Sequence, residues 1–258
     1  MPAATRQPAL VAVAHGSRDP RSAATISALV EQVRRQHPGL DVRLSFLGLN
    51  TPRLPDTLAT VAADGHRDAV VVPLLLGDAF HARVDVPDAV SRAARRHPRL
   101  RPRVAEVLGR DPRLADVALR RLGEAVGRLD SPELGVVLAA TGSSHPTANV
   151  AVERLASAMS RRHRWHGAIA AFATAASPGV TEAIERLRAG GADRVAVASW
   201  FLAPGLLPSR VLRASLAADP SVPVADPLGA HEAVAEVIID RYRRALAPDA
   251  ETRLGRVS

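Results

Sequence analysis

Residues 10–20 read LVAVAHGSRDP, and the interpretation of the whole chain starts from this stretch. The apolar run at 10–14 predicts a short buried strand. The run ends at His15, and a turn of small residues then leads to a helical pattern that begins near Arg21. His15 is therefore predicted at the carboxyl end of a strand, beside the amino end of a helix, which is where open α/β sheets bind ligands.

The composition is typical of a globular protein whose core is built from small aliphatic residues. The 258 residues are 47% hydrophobic and 23% charged but only 3% aromatic. Cysteine is absent, which excludes disulfides, thiolate nucleophiles, cysteine-bound iron–sulfur clusters and cysteine zinc sites, and fits a cytoplasmic protein. No apolar run approaches the ~20 residues of a membrane span, and residues 1–8 contain no signal-peptide core. We expect a cytoplasmic protein without a membrane partner.

The net charge of +8 is carried almost entirely by arginine and has three interpretations. Nucleic-acid binding is one, but the arginines are spread along helix faces and aromatic platforms for bases are nearly absent. A second is an arginine-rich proteome encoded by a GC-biased genome. A third is attraction of a polyanionic small molecule. We expect no nucleic-acid partner.

Strand and helix patterns alternate through the first half of the chain. Strands are predicted at 10–14, 41–47, 69–76 and 103–107, and helices at 21–36, 53–64, 86–96 and 112–126. This alternation predicts right-handed crossovers and a parallel sheet flanked by helices. The turn-rich segment 127–133 (GRLDSPE) is the predicted boundary between domains at 1–128 and 132–248, with a frayed tail at 249–258.

The pattern then starts again at an offset of 126 residues. A strand is predicted at 135–140, and TGSSHP at 141–146 stands where HGSRDP stood. The matched pairs are Gly16 and Gly142, Ser17 and Ser143, Pro20 and Pro146, Pro52 and Pro178, and Gly65 and Gly191. The strand at 69–76 likewise matches 195–202. A register kept without a gap over this length predicts two tandem α/β domains that arose by duplication.

Two histidines break the repeat. At the constant offset, His15 corresponds to Thr141 and His81 to Leu207. Each histidine follows a strand of the same half, so both should project over one edge of the sheet. Neutral imidazole binds Fe²⁺, Co²⁺, Ni²⁺ and Zn²⁺ and transfers protons near neutral pH. A pair with few nearby carboxylates predicts an open site that binds a divalent metal and releases it.

Anion-binding features surround this pair. Ser17 and Arg18 precede a helix N-terminus, where free N–H groups and the helix dipole favour negative charge. Arg83 lies two residues after His81. An anionic ligand beside the metal is therefore one interpretation, and ordinary surface charge is the alternative for both arginines.

The remaining histidines fit structural roles. His145 aligns with Asp19 and predicts a turn residue. His37, His97 and His163 lie near the ends of predicted helices, where capping suffices for them. His66 and His166 lie beside glycines in loops and give no further signal.

Three strings in order, HGSRDP at 15–20, SFLGLNTP at 45–52 and VVVPLLLGDAFHARVDVP at 70–87, resemble the CbiX/SirB family of class II chelatases. These are the sirohydrochlorin ferrochelatases and cobaltochelatases of siroheme and cobalamin synthesis. The likeness covers the first half closely. The second half resembles the degenerate C-terminal domain of the long family members.

The resemblance implies two flavodoxin-like halves that face each other across a cleft. It implies insertion of Fe²⁺ or Co²⁺ into sirohydrochlorin, a tetrapyrrole rimmed with carboxylates, without an organic cofactor. His15 and His81 match the family's active-site histidines, which would hold the metal and accept the pyrrole protons. Ser17, Arg18, Asp78 and Arg83 become the candidate substrate contacts. We expect a monomer.

Two departures from the family pattern leave a third catalytic group unassigned. Gly48 stands where such members carry a glutamate, and Val84 stands where they carry a further histidine. Asp78, Asn50 or His66 could substitute for the missing group. A non-catalytic carrier of metal or tetrapyrrole is the main alternative function. A phosphate-handling hydrolase is a weaker one, because no nucleophile motif accompanies the Gly-Ser loop.

Overall fold

The computed structural model describes residues 7–77 and 84–247. Within these ranges seven strands and eight helices follow one another along the chain. The strands are β1 (Ala9–Ala14), β2 (Val42–Phe46), β3 (Asp68–Pro73), β4 (Arg101–Val104), β5 (Leu134–Ala140), β6 (Gly167–Phe172) and β7 (Arg194–Ser199). The helices are α1 (Pro20–Gln36), α2 (Leu54–Ala63), α3 (Val86–Arg96), α4 (Pro112–Val126), α5 (Pro146–His163), α6 (Val180–Ala189), α7 (Leu206–Ala218) and α8 (Glu232–Leu246).

The strands form two parallel sheets, with the orders β2-β1-β3-β4 and β6-β5-β7. The predicted α/β class with two duplicated parallel sheets is confirmed. One predicted strand is misplaced: β4 was expected at 103–107, but Arg101 pairs with Asp68 and the strand ends at Val104. It is a polar edge strand containing Pro102, so hydrophobicity alone does not locate it.

Helix starts are specified locally by proline and, at two positions, by aspartate. Proline stands in the first turn of α1 to α5, where its missing N–H costs no helical hydrogen bond. The carboxylates of Asp19 and Asp111 accept the N–H groups of Arg21 and Arg113 and cap α1 and α4.

Each sheet is covered on both faces, and the two inner faces share one core. The central core joins the inner faces of both sheets to α1, α4, α5 and α8. A second cluster packs α2 and α3 on the outer face of the first sheet. A third packs α6 and α7 on the outer face of the second sheet. The two halves are therefore held together by a continuous hydrophobic layer.

The last helix of each half packs against the other half. α4 lies on β7, and α8 lies on β3 and α1. The Tyr242 hydroxyl donates to the Pro8 carbonyl at 2.6 Å, and Arg241 Nε donates to the Val107 carbonyl at 3.0 Å. The boundary between domains at residues 128–132 stays a prediction from the sequence repeat. Helices α4 and α8 each pack across it against the other half.

The repeat is visible in the backbone around the first strand of each half. Gly16 and Gly142 have φ angles of 93° and 87°. A Cβ at Gly16 would lie 1.9 Å from the Gly48 carbonyl oxygen, and one at Gly142 would lie 2.0 Å from that of Thr174. Only glycine fits such a close approach at positive φ. The predicted duplication therefore extends to the turn chemistry.

The offset of 126 ends at β7. In α3, Val86 and Val90 are buried, and in α7 the corresponding buried residues are Val211 and Ser215, an offset of 125. The predicted pairing of His81 with Leu207 used an offset that does not continue through α7. No helix in the two described ranges is both long and apolar enough to cross a membrane.

Candidate functional site

His15 follows β1 directly and is exposed at the carboxyl edge of the first sheet. The loops after β1 and β2 are joined there by backbone hydrogen bonds. Leu47 N–H donates to the Ala14 carbonyl at 2.9 Å, and Gly48 N–H donates to the His15 carbonyl at 3.1 Å. The backbone at His15 is thus fixed by the neighbouring loop.

Asn50 fixes the turn that follows His15. Its Oδ1 accepts the Ser17 N–H at 2.7 Å, and its own N–H donates to the Gly48 carbonyl at 2.7 Å. The Ser17 hydroxyl in turn accepts the Asp19 N–H at 3.1 Å. Asn50, one of the predicted substitutes for the missing third group, therefore lies beside His15, where it orders the loop.

The turn leads into the N-terminus of α1, which the carboxylate of Asp19 caps. Arg18 is exposed just before the helix. Asp19 binds Arg21 at 2.6 Å, and this guanidinium holds the pKa of the Asp19 carboxyl below its usual value. Ser17 and Arg18 are thus placed together, as predicted, beside the positive end of a helix. Their contact with substrate stays a prediction.

The second half reaches the same loop through the N-terminus of α7. A Cβ built at Gly205 would lie 3.6 Å from the Ser17 hydroxyl oxygen. Arg21 Nη2 donates to the Ser209 hydroxyl at 3.2 Å. The sequence did not reveal this contact, because Gly205 and Ser209 carry no motif of their own.

Asp78, His81 and Arg83 lie outside the described residues, so their place in the site stays a prediction. The described strands show only the edge at which β3 ends. β3 runs parallel to β1, and the register Val13 to Pro73 brings the ends of the two strands to one edge. His15 thus follows a strand that ends at the same edge as β3.

His66 is wrong as a third group for this site. It precedes β3, so it lies at the opposite edge of the sheet from His15. Its ring is buried and its Nε2 lies 2.8 Å from an Asp41 carboxylate oxygen, which Arg43 also binds. The neighbouring Arg43 and His66 lower the pKa of the Asp41 carboxyl. The sequence could not show this, because Asp41 is distant along the chain.

Gly48, where the resemblance implies a glutamate, has room for a side chain. Apart from its chain neighbours Leu47 and Leu49, no described residue has a heavy atom within 4 Å of a Cβ built at Gly48. Across residues 7–77 and 84–247, no three histidines or carboxylates come close enough together to hold a metal ion. Within this part of the chain, the site offers a single imidazole and open space.

The predicted positions near helix ends are confirmed for His37, His97 and His163. His37 and His97 are the C-caps of α1 and α3. His145 occupies the N-cap of α5, where its side chain makes no capping bond. The two remaining rings bind close neighbours: His163 binds Asp130 and stacks on Trp165, and His166 Nε2 lies 2.9 Å from the Gly190 carbonyl.

The sequence patterns predicted no role for one further histidine, His231, which is structurally important. His231 caps α8, and its Nδ1 accepts the Ala233 N–H at 3.1 Å. Asp111 caps α4 in the same way. Aligning the start of α4 with the start of α8 pairs Asp111 with His231 and would have predicted this cap.

The model of the CbiX family matches residues 9–125 and again 135–245. The sirohydrochlorin ferrochelatase of Priestia megaterium is 26% identical, over 93% of this chain and 91% of its own length. The sirohydrochlorin ferrochelatase of Bacillus subtilis (strain 168) is also 26% identical, over 93% of this chain and 92% of its own length. A sirohydrochlorin cobaltochelatase of Priestia megaterium is 25% identical over 77% of this chain, and the match spans 65% of that relative.

Solved structures share the fold. SirB from Bacillus subtilis with Fe³⁺ superimposes with a TM-score of 0.77 at 24% identity, covering 96% of this chain and 98% of SirB. CbiX, the terminal enzyme for biosynthesis of siroheme in denitrifying bacteria, gives a TM-score of 0.68 at 20% identity, over 93% and 100%. Both likenesses support the two-sheet architecture.

Proposed function

Because the chain belongs to the CbiX family, we propose that it is a sirohydrochlorin chelatase that inserts Fe²⁺ or Co²⁺ into the tetrapyrrole. The observation that carries the proposal is the exposed His15 at the carboxyl end of β1, in a loop fixed by Asn50. Ferrochelatases and cobaltochelatases of sirohydrochlorin both align with this chain. The metal is a substrate, and no organic cofactor enters the proposal.

His15 and His81 are the proposed acceptors of metal and protons. A neutral imidazole offers a nitrogen lone pair to a divalent first-row metal. Once the metal has passed to the ring nitrogens, each of the two imidazoles could take one of the two protons that the pyrrole N–H groups lose. Two imidazoles without a fixed carboxylate bind the metal weakly, which favours its transfer to four ring nitrogens.

Four residues are the proposed contacts for sirohydrochlorin, and the two arginines among them, Arg18 and Arg83, would pair with its carboxylates. Ser17 and Arg18 lie at the N-terminus of α1, where the helix dipole favours anions. Asp78 and Arg83 belong to the proposed set through their sequence positions beside His81. The net charge of +8 would also attract a polyanion.

Metal insertion can be measured directly from the absorbance change of the tetrapyrrole. The protein is mixed with sirohydrochlorin and Fe²⁺, Co²⁺ or Ni²⁺ without oxygen, and rates are compared with the uncatalysed reaction. His15→Ala and His81→Ala should each abolish the catalysed rate while the fold is retained. His145→Ala is the control and should keep the full rate. Near-wild-type rates in both active-site variants would refute the assignment.

The open position at Gly48 favours one alternative, a carrier of metal or tetrapyrrole. A site that lacks a carboxylate could bind its ligands without accelerating their reaction. Tight binding of sirohydrochlorin with no rate above the uncatalysed insertion would support the carrier. We also propose that the protein is a cytoplasmic monomer without a nucleic-acid partner. Sedimentation velocity with and without DNA tests the monomeric state and the absence of DNA binding.

A further inference from the structure

Two leucines are exposed to an unusual degree for large apolar side chains. Leu206 is 61% exposed and Leu49 is 55% exposed, more than any other exposed large hydrophobic residue in the described part of the chain. One belongs to the first half and the other to the second. Single exposed leucines are normal on a protein surface, so the position of these two, and not their exposure alone, is what calls for an explanation.

Both leucines adjoin the loop that carries His15. Leu49 lies between Gly48, whose N–H binds the His15 carbonyl, and Asn50, whose side chain holds Ser17. Leu206 follows Gly205, at which a built Cβ would lie 3.6 Å from the Ser17 hydroxyl oxygen. Two exposed leucines from different halves are therefore each next in sequence to residues that adjoin one short turn.

The fold does not require a large side chain at either position. Leu49 has a φ of 62°, a left-handed conformation that a leucine adopts with strain. The equivalent residue of the second half, Ala175, has a φ of 57° with only a methyl group. Leu206 is the first residue of α7 and has no place in the hydrophobic clusters. Neither side chain is explained by packing.

We infer that Leu49 and Leu206 form an apolar clamp for the planar ring of the tetrapyrrole at the His15 loop. The inference rests on the proposed function. A tetrapyrrole has an apolar face and a rim of carboxylates, so it needs apolar contacts over the ring and cationic groups at the edge. The leucines would supply the first, and Arg18, exposed in the same turn as Ser17 just before α1, would supply the second.

Binding of metal-free sirohydrochlorin, followed by its fluorescence, tests the clamp. Covering the exposed part of one leucine should contribute about fivefold to affinity, so Leu49→Ala and Leu206→Ala should each raise Kd about fivefold. Leu49→Gly should raise Kd at least as much, although it relieves the left-handed backbone and leaves Tm unchanged or higher. If Leu49 had only a structural role, Leu49→Gly could not raise Kd while leaving Tm unchanged or higher.

Two variants serve as matched controls. Leu212→Ala removes an exposed leucine farther along α7, and Ala175→Gly changes the equivalent left-handed position of the second half. Both should keep the wild-type Kd. If the wild type inserts metal but the clamp variants keep Kd and KM within twofold, the clamp is wrong and the proposed function stands. If the wild type neither binds sirohydrochlorin nor inserts metal, both are wrong.

Discussion

The backbone N–H of Ser17 donates to Oδ1 of Asn50 at 2.7 Å, and this bond fixes the turn after His15. The second half makes the equivalent bond with a different residue. There the Ser143 N–H donates to Oδ1 of Asn149 at 2.9 Å, from within α5. The same turn is thus held from the β2 loop in one half and from the following helix in the other. Only the first arrangement ties the turn to the loop that carries Gly48.

Replacing Asn50 by alanine should reduce metal insertion about 10- to 100-fold, because small displacements of a reacting group are costly. The stability loss should be ~1 kcal/mol, the usual net value of one hydrogen bond. Stopped-flow insertion rates and urea unfolding measure the two effects. Asn149→Ala is the control: a comparable stability loss with an unchanged rate is expected. An equal loss of rate in both variants would mean that Asn50 acts through stability alone.

Replacing Gly48 by glutamate should strengthen metal binding. A side chain at this position enters open space next to the His15 loop, so the backbone need not move. A carboxylate near an imidazole should raise the affinity for Co²⁺ by about tenfold, which corresponds to ~1.4 kcal/mol. Calorimetric titration with Co²⁺ measures this. Thr174→Glu places the charge at the equivalent position of the half without the histidine and should have no effect. Unchanged affinity in Gly48→Glu would show that position 48 does not face the metal.

Much of the architecture could be predicted because it depends on local patterns. Buried parallel strands are short apolar runs, and β1 is buried along its whole length. The positions of His15 and of the repeated glycines followed from those runs and the offset of 126 residues. The packing of α4 and α8 each against the other half could not be predicted. Helical periodicity shows which face of a helix is buried, but not which sheet it packs against.

The site was predicted less completely than the fold, for a related reason. His15 could be placed because it follows a strand directly. His66 and Asn50 were equal candidates in sequence, but their partners are distant along the chain. Asp41 holds one away from the site, and Ser17 holds the other within it. The contact of Gly205 with Ser17 depends on how the halves pack, which no motif records.

Replacing Asp111 by alanine should destabilise the protein by about 1–3 kcal/mol, since it removes a helix cap and a partner of buried charge. Asp111 caps α4, binds Arg113 at 2.9 Å and lies 3.9 Å from the buried Arg241 of α8. Arg113 also lowers the pKa of the Asp111 carboxyl, so this stability is present at neutral pH. Urea unfolding at pH 7 measures the loss.

The control for this substitution is Asp19→Ala. Asp19 caps α1 in the same way, but the side chain of its partner Arg21 is 64% exposed, so a smaller loss is expected. If the two variants lost equal free energy of unfolding, the buried Arg241 would not contribute to the stabilisation by Asp111.

His231 should make stability depend on pH between neutral and mildly acidic conditions. Burial, followed by the charges of Arg120 and Arg121, lowers its pKa, against the opposing effect of Glu232 and Glu124. Its Nδ1 can cap α8 only while unprotonated.

The unfolded chain therefore binds a proton first as pH falls, and the folded state loses stability. The contribution is complete above the ordinary histidine pKa of about 6.5 and is lost as pH falls through the lowered value. The loss amounts to about 1.4 kcal/mol for each unit by which folding lowers the pKa of His231. Urea unfolding at pH 7.5 and 5.5 should show this loss in the wild type but not in His231→Asn, which keeps an uncharged cap. His145→Asn, at a cap position without a side-chain bond, should behave like the wild type. An undiminished pH dependence in His231→Asn would assign the effect to other groups.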